Sequence, residues 1–164
     1  MNYLDADKAL YKIVNEKVRD CEVRLNAVPI ENKSERKALI IEREMYNLCF
    51  RAGMVGKGEA LLKFRRNVIT NILNKYQVLS GKYSNLNEND KMLFIAALQA
   101  EIFMRDGILS KYYPELEAAK MTDDAKNIFE FQIKIGACEN VFGAWEAWRV
   151  ENNVFPGFFK EGLK

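Results

Sequence analysis

The chain is predicted to fold as an all-α protein, on three observations. Apolar residues recur at spacings of three and four through every long segment, the period that puts them on one face of a helix. No segment alternates apolar and polar residues between turn signals, as a half-buried strand would. Only three prolines, at positions 29, 114 and 156, punctuate the 164 residues, leaving uninterrupted stretches of helical length.

The first helix is expected from about Asp5 to Ala27. Ala6, Leu10, Val14, Val18, Cys21, Leu25 and Val28 form one stripe down it. Pro29 ends it, because the residue before a proline is driven out of helical geometry. Asn32 or Ser34 then caps a second helix, with Glu35 placed three after Asn32 like the acidic partner of a capping box. Its stripe is Ala38, Ile41, Met45, Leu48, Ala52 and Val55, and Gly53, Gly56 and Gly58 interrupt it. A third helix is expected from about Lys57 to Leu79, with Leu61, Phe64, Val68, Ile72, Tyr76 and Leu79 inward. Ser80-Gly81 closes it, since glycine accepts the left-handed conformation of a helix terminus.

Residues 80–89, rich in Ser and Asn, read as a loop. Asn87 caps a fourth helix, Lys91 to about Tyr113, that is apolar almost all round. A helix without a polar face is surrounded by other helices, so this one is expected at the centre; Gly107 admits a neighbour or bends it. Pro114 suits the first turn of a short helix reaching Lys120. Thr122, with Asp123 and Asp124 after it, is expected to cap the last helix, 123 to about 151. That helix carries Ile128, Phe131, Ile135, Cys138, Phe142, Trp145 and Trp148 inward. Glu59 with Lys63, Glu101 with Arg105, and Glu130 with Lys134 have the spacing of salt bridges on exposed faces. There is no internal repeat. The expected architecture is a single domain over 1–153, an irregular bundle of five or six helices around residues 91–113. An aromatic C-terminal tail, 154–164, docks on it.

Composition bounds the function. Hydrophobic residues at 49% and charged residues at 29% are the proportions of a globular protein. Cys21, Cys49 and Cys138 are odd in number, far apart and set in apolar stripes. They read as reduced core thiols of a cytoplasmic protein. The N-terminal residues show no apolar signal region. The longest apolar run, near Met92–Met104, contains Gln99 and Glu101 and is too short to cross a bilayer.

The chain contains no histidine, the usual general base and the commonest metal ligand at neutral pH. No two carboxylates lie three residues apart, the spacing with which a helix aims two oxygens at one cation. Glu16 with Asp20, and Glu31 with Glu35, are four apart. The first pair sits beside Lys17, Arg19 and Arg24 on a solvated face; the second straddles a helix start, where negative charge is favourable. Neither catalysis nor a metal or other cofactor is expected.

Two stretches point to binding. Gly53-Met54-Val55-Gly56-Lys57-Gly58 has the glycines of a phosphate loop, but no strand precedes it and no Ser or Thr follows the lysine. Residues 48–66 are loosely similar to a helix-turn-helix, with Arg51, Lys57, Lys63, Arg65 and Arg66 as candidate contacts to nucleic acid or an acidic partner. Between residues 33 and 75, ten Lys/Arg face four Asp/Glu, a net basic segment on a nearly neutral chain. Against this, the turn is about one residue too long, Glu59 falls on a packing position, and Lys33, Arg36, Lys37 and Arg43 suit a solvated face. The second stretch is aromatic. Trp145, Trp148, Phe155, Phe158 and Phe159 are candidate protein-partner contacts, residue types frequent at binding hot spots, or else the cover of the bundle. Gly136, Gly143, Ala144 and Ala147 add a small-residue ridge suited to close helix packing, within the monomer or across a two-fold dimer. The first expectation is therefore a non-enzymatic adaptor or inhibitor that binds another protein; the alternative is a DNA-binding regulator using residues 48–66.

Overall fold

The computed structural model describes the backbone of residues 1–51 and 58–159, and the side chains of residues 1–50 and 63–159. The protein is all-α. Its α-helices are α1 (Tyr3–Ala27), α2 (Lys33–Arg51), α3 (Gly58–Lys75), α4 (Gln77–Ser84), α5 (Glu88–Ile102), α6 (Ser110–Met121) and α7 (Ala125–Glu151). A π-helical segment, Phe103–Leu109, joins α5 to α6. No strand occurs among the described residues.

α1 starts two residues earlier than Asp5, because Asn2 and Asp5 form a reciprocal cap. The Asn2 side chain accepts from the backbone N–H of Leu4 at 2.9 Å and of Asp5 at 3.2 Å, and Asp5 accepts from Asn2 N–H at 2.7 Å. Val28 leaves the helix in extended geometry ahead of Pro29. Arg36 reaches back from α2 to donate to the carbonyls of Leu25 and Val28, at 3.2 and 3.3 Å, satisfying acceptors that the end of a helix leaves open. Asn32 supplies the α2 cap, accepting from Glu35 N–H at 3.2 Å.

The chain departs from the sequence reading after residue 75. The third helix breaks at Tyr76 (φ −117°, ψ 84°), and α4 occupies the first half of the stretch expected to be a loop. Burial overrides the local preference of Ser, Gly and Asn there. Leu79 is fully enclosed, and the Tyr83 ring lies 5.5 Å from that of Phe94; Gly81 sits inside the helix and does not end it. Asn87 caps α5, accepting from Asp90 N–H at 2.8 Å.

α5 is the central element. Leu93 through Glu101 are buried without interruption, and the helix packs on α1, α3 and the π-helical segment. The predicted boundaries at 113 and 114 do not exist: the path runs through the π-helical turns into α6, with Pro114 inside that helix. Pro114 lacks the N–H that would bond the Ser110 carbonyl, and both residues are exposed, so that carbonyl is open to solvent. Thr122 is not an N-cap. It ends α6, Asp123 turns left-handed (φ 52°), and Asp124 caps α7 by accepting from Asn127 N–H at 3.2 Å.

α7 packs on α2, α6 and α1. It closes with the paired bonds of a Schellman motif, Val154 N–H to Arg149 O at 2.8 Å and Asn153 N–H to Val150 O at 3.2 Å, with Asn153 left-handed at φ 54°. That turn returns the chain onto α5. Phe94 stacks on Phe159 (5.4 Å, 10°) and meets Phe155 and Phe158 edge-on at 5.6 and 5.0 Å. Contacts of this kind are each worth about 0.5–1.5 kcal/mol beyond burial.

Candidate functional site

The two groups of residues picked out by sequence have different fates, and they do not converge on one site. The Arg51 side chain and Lys57 lie outside the described residues, as do the glycines at 53 and 56. Lys63 and Arg66 are exposed on α3. Arg65 is 1% exposed and belongs to the interior: it bonds Asp7 of α1 at 2.6 and 3.1 Å and Gln99 of α5 at 2.8 Å. Its alignment with Ile69 and Ile72 on the inner face of α3 turns it inward, so it is no surface contact.

Of the aromatic group, Trp145 and Phe159 are buried, whereas Trp148, Phe155 and Phe158 are half-buried and pack against the core from its edge. Trp145 is 1% exposed, with Trp148 stacked on it at 5.1 Å. Arg149 holds the tail in place. Its Nη1 donates to the carbonyls of Val154 and Phe155 at 3.4 and 3.3 Å, and its guanidinium lies 4.3 Å from the Phe159 ring centre. Its Nη2 meets Glu101, itself 3% exposed. Glu101 therefore serves the tail and not an i,i+4 pair with Arg105. Glu130 also takes a more distant partner, Lys37 of α2 at 3.1 Å, which holds its carboxyl below the usual range.

What α7 offers to solvent is a low ridge between two open clefts. On one side, against α1 and α2, is a cleft of about 620 Å³ that places Glu16 and Asp20 opposite Glu42, Tyr46 and Asn140. Glu42 is its hub. One carboxylate oxygen accepts from the Cys21 thiol at 3.0 Å and from Arg24 at 2.8 Å; the other accepts from the Tyr46 hydroxyl at 3.1 Å. Burial first, and then the bond to Glu42, push the Cys21 thiol up to about 12. Burial also raises Tyr46 to about 12. Both groups keep their protons at neutral pH, so this cleft holds hydrogen-bonding groups and no thiolate nucleophile. The Cys138 thiol is raised as well, first by its hydrogen bond with Cys49 and then by burial. Among the described residues, no group of three or more acidic or thiol ligands is gathered for a metal ion.

On the other side, a groove of about 740 Å³ runs between α7 and the π-helical segment with α6. Five-residue hydrogen-bonded turns carry one more residue per ring than an α-helix, and the widened segment delivers Arg105, Asp106 and Leu109 to this groove. Leu109, Phe142 and the bare backbone of Gly143 make its floor; a Cβ added at Gly143 would meet nothing within 4 Å. Asp106, Glu139 and Glu146 make an acidic rim with Arg105 as its one cation among the lining residues. The Tyr113 hydroxyl donates to Glu139, which raises that phenol to about 12, with burial adding to the effect. Asp106 accepts from Tyr76 at 3.2 Å, tying the rim to the α3–α4 junction.

The sequence reading missed this rim. Glu139, Phe142, Gly143 and Glu146 do follow the i, i+3, i+4, i+7 spacing of a helix face, so the outward stripe of α7 could be found. The facing residues could not, because the turn that presents them is π-helical and no local motif announces it. Comparison with family models, curated protein sequences and solved structures finds no match to this chain.

Proposed function

We propose that this chain is a non-enzymatic protein-binding molecule, an adaptor or inhibitor of the cytoplasm, that seats a basic amphipathic helix of its partner in the groove beside α7. The observation that carries the reading is the groove's composition: an apolar floor of Leu109, Phe142 and Gly143 under the acids Asp106, Glu139 and Glu146. A helix laid in such a groove would bury its apolar stripe on the floor. Its lysines or arginines would meet the rim, which favours capture and fixes register. The bare Gly143 backbone lets the visiting helix approach closely. The non-enzymatic part of the reading is supported by a chain without histidine and by Cys21 and Cys138 thiols that burial and hydrogen bonding keep protonated.

The test is site-specific photo-crosslinking in the native host. A photoreactive residue replaces Ser110, exposed at the groove, or Val23, 69% exposed on α1 and outside it. The expected result is an adduct at position 110 and none at 23, with the cross-linked peptide carrying basic residues on one helical face and apolar residues on the other. Gly143→Arg places a long side chain in the groove from a position where a Cβ meets nothing within 4 Å, and should abolish the adduct while leaving the circular dichroism unchanged. An adduct that persists in Gly143→Arg, or a cross-linked segment of acidic character, would refute the groove reading.

A further inference from the structure

We infer that the outer face of α3 is a second interaction surface, independent of the groove, that fits the major groove of duplex DNA. The face consists of Lys63, Arg66, Asn67, Thr70, Asn71 and Asn74, all exposed. They stand at i, i+3, i+4, i+7, i+8 and i+11, one continuous polar stripe over three turns. At 1.5 Å per residue the stripe is about 16 Å long, and a single helix of that kind fits the roughly 12 Å width of a major groove. The opposite face carries Ile69, Ile72 and the inward Arg65, so α3 is fixed by its inner side and offers this stripe whole.

Two features separate the stripe from an ordinary solvated helix face. The first is charge. The chain holds 23 carboxylates in 164 residues, yet none falls between Glu59 and Glu88. Helices at a protein surface normally interleave both signs as i,i+4 pairs, as α1 does with Arg24 and Asp20 at 2.9 Å. Glu59, four residues before Lys63, is the one acid of α3, and no acid stands four residues either side of Arg66 or of the flanking Lys75, so the sequence of this face is net basic and complementary to phosphate. Two of the basic residues of α2 are spent otherwise: Arg36 caps α1 and Lys37 pairs with Glu130. The second feature is the choice of uncharged residues. Asparagine is a weak helix former, and three in one stripe are unexplained by helix stability. Asn amides do pair bidentately with adenine edges in the major groove, Arg and Lys pair with guanine or bind phosphate, and Thr reaches either base or a thymine methyl. The predicted helix-turn-helix gave this role to residues 48–66; the burial of Arg65 moves it to the next three turns.

The test is fluorescence anisotropy of the full chain with labelled 20-base-pair duplexes of A·T-rich and G·C-rich sequence, and with a single-stranded RNA of equal length, at 50 and 200 mM salt. Three phosphate contacts, from Lys63, Arg66 and Lys75, give a salt slope of about −2.7 and roughly forty-fold weaker duplex binding at the higher salt. Lys63→Ala with Arg66→Ala should cut that slope by about two. Asn67→Ala with Asn71→Ala should leave the slope unchanged and narrow the difference between the two duplexes. All four side chains are exposed, and unchanged far-ultraviolet circular dichroism certifies each variant as folded. No duplex binding at 50 mM salt, binding indifferent to the Lys63/Arg66 pair, or preference for the single-stranded RNA overturns the inference. So does an acidic protein captured through this face in place of duplex. None of these outcomes bears on cross-linking at Ser110, so the two proposals stand or fall separately.

Discussion

The guanidinium of Arg149, in the last turn of α7, lies 4.3 Å from the ring centre of Phe159, ten residues further on. A cation over an aromatic face is attracted by the ring quadrupole, most strongly where water is excluded. Here the same guanidinium also meets Glu101 and two tail carbonyls, so one side chain joins the tail, α7 and the central helix. Arg149→Ala removes all four contacts and leaves the buried Glu101 carboxyl without its partner. The expected cost is about 3–5 kcal/mol in urea unfolding. The double change Arg149→Met with Glu101→Leu should recover most of it, since no charge is then left without a partner. A double variant as unstable as Arg149→Ala would show that the pair is not the source of the loss.

Removing residues 154–164 is expected to unfold the domain and to leave no soluble bundle with an intact partner surface. Phe94 would lose three aromatic neighbours and α7 its closing turn. Phe94→Ala alone should cost about 3–5 kcal/mol, the usual range for a buried phenylalanine. The check is thermal unfolding followed by near-ultraviolet circular dichroism, which reports aromatic packing directly. A truncated chain with native near-ultraviolet signal would mean that the tail is dispensable.

Arg65 and Arg66 are neighbours in sequence and opposites in structure. Arg65→Ala leaves Asp7 and Gln99 without their partner, and its expected cost is about 3 kcal/mol or more. Arg66→Ala, on the exposed stripe, should not move the unfolding midpoint. Urea titration of the two single variants reads the contrast. Equal midpoints would mean that the interior network contributes nothing.

That pair also shows what a sequence can and cannot reveal here. The helical class, the caps at Asn32 and Asn87 and the buried run in α5 follow from local chemistry, because capping and apolar periodicity act over a few residues. The expected stripe runs through Phe64 and Val68, but the buried face runs through Arg65, Ile69 and Ile72 and leaves Phe64 exposed; both phase and charge argue for Arg65 at the surface, and Asp7, fifty-eight residues away, overrides that. The loop expected at 80–89 became α4 for a similar reason: Leu79 and Tyr83 find distant apolar partners whose burial outweighs local turn preference. The acidic groove was half legible. Its α7 side has helical spacing, whereas its other side depends on π-helical turns between Phe103 and Leu109.

The buried thiols should be silent in the native protein. Cys21, Cys49 and Cys138 are all enclosed, and the Cys21 thiol is raised to about 12. At pH 8 the thiolate, which is the reactive species, is then scarce as well as inaccessible. Maleimide labelling followed by mass spectrometry is expected to add no label to the folded chain within minutes and three labels in 6 M guanidinium. Rapid labelling of Cys21 in the folded state would mean that its cleft opens and the Glu42 hydrogen bond is broken in solution.

Glu101 gives the protein a stability that depends on pH in an unusual direction. Burial raises its carboxyl from about 4.5 to about 7, and the charge of Glu146 acts in the same sense. Arg149 and Arg105 oppose the shift without cancelling it, as expected when desolvation of a buried ion exceeds the attraction of its partner. Between these two values the folded chain keeps a proton that the unfolded chain has lost. Stability from this group is therefore fully present below about pH 4.5, declines as pH rises toward 7, and is flat above it. A shift of this size corresponds to a change on the order of 3 kcal/mol. Salt-bridged surface carboxylates, such as Glu130 with Lys37, pull the other way as pH falls, so the difference between wild type and Glu101→Gln isolates the effect. The variant cannot ionise at this position; its unfolding free energy relative to wild type should rise between pH 5 and 7.5 and then stop changing. A difference independent of pH would mean that Arg149 holds Glu101 ionised throughout, and that the contact between them is a fully compensated ion pair.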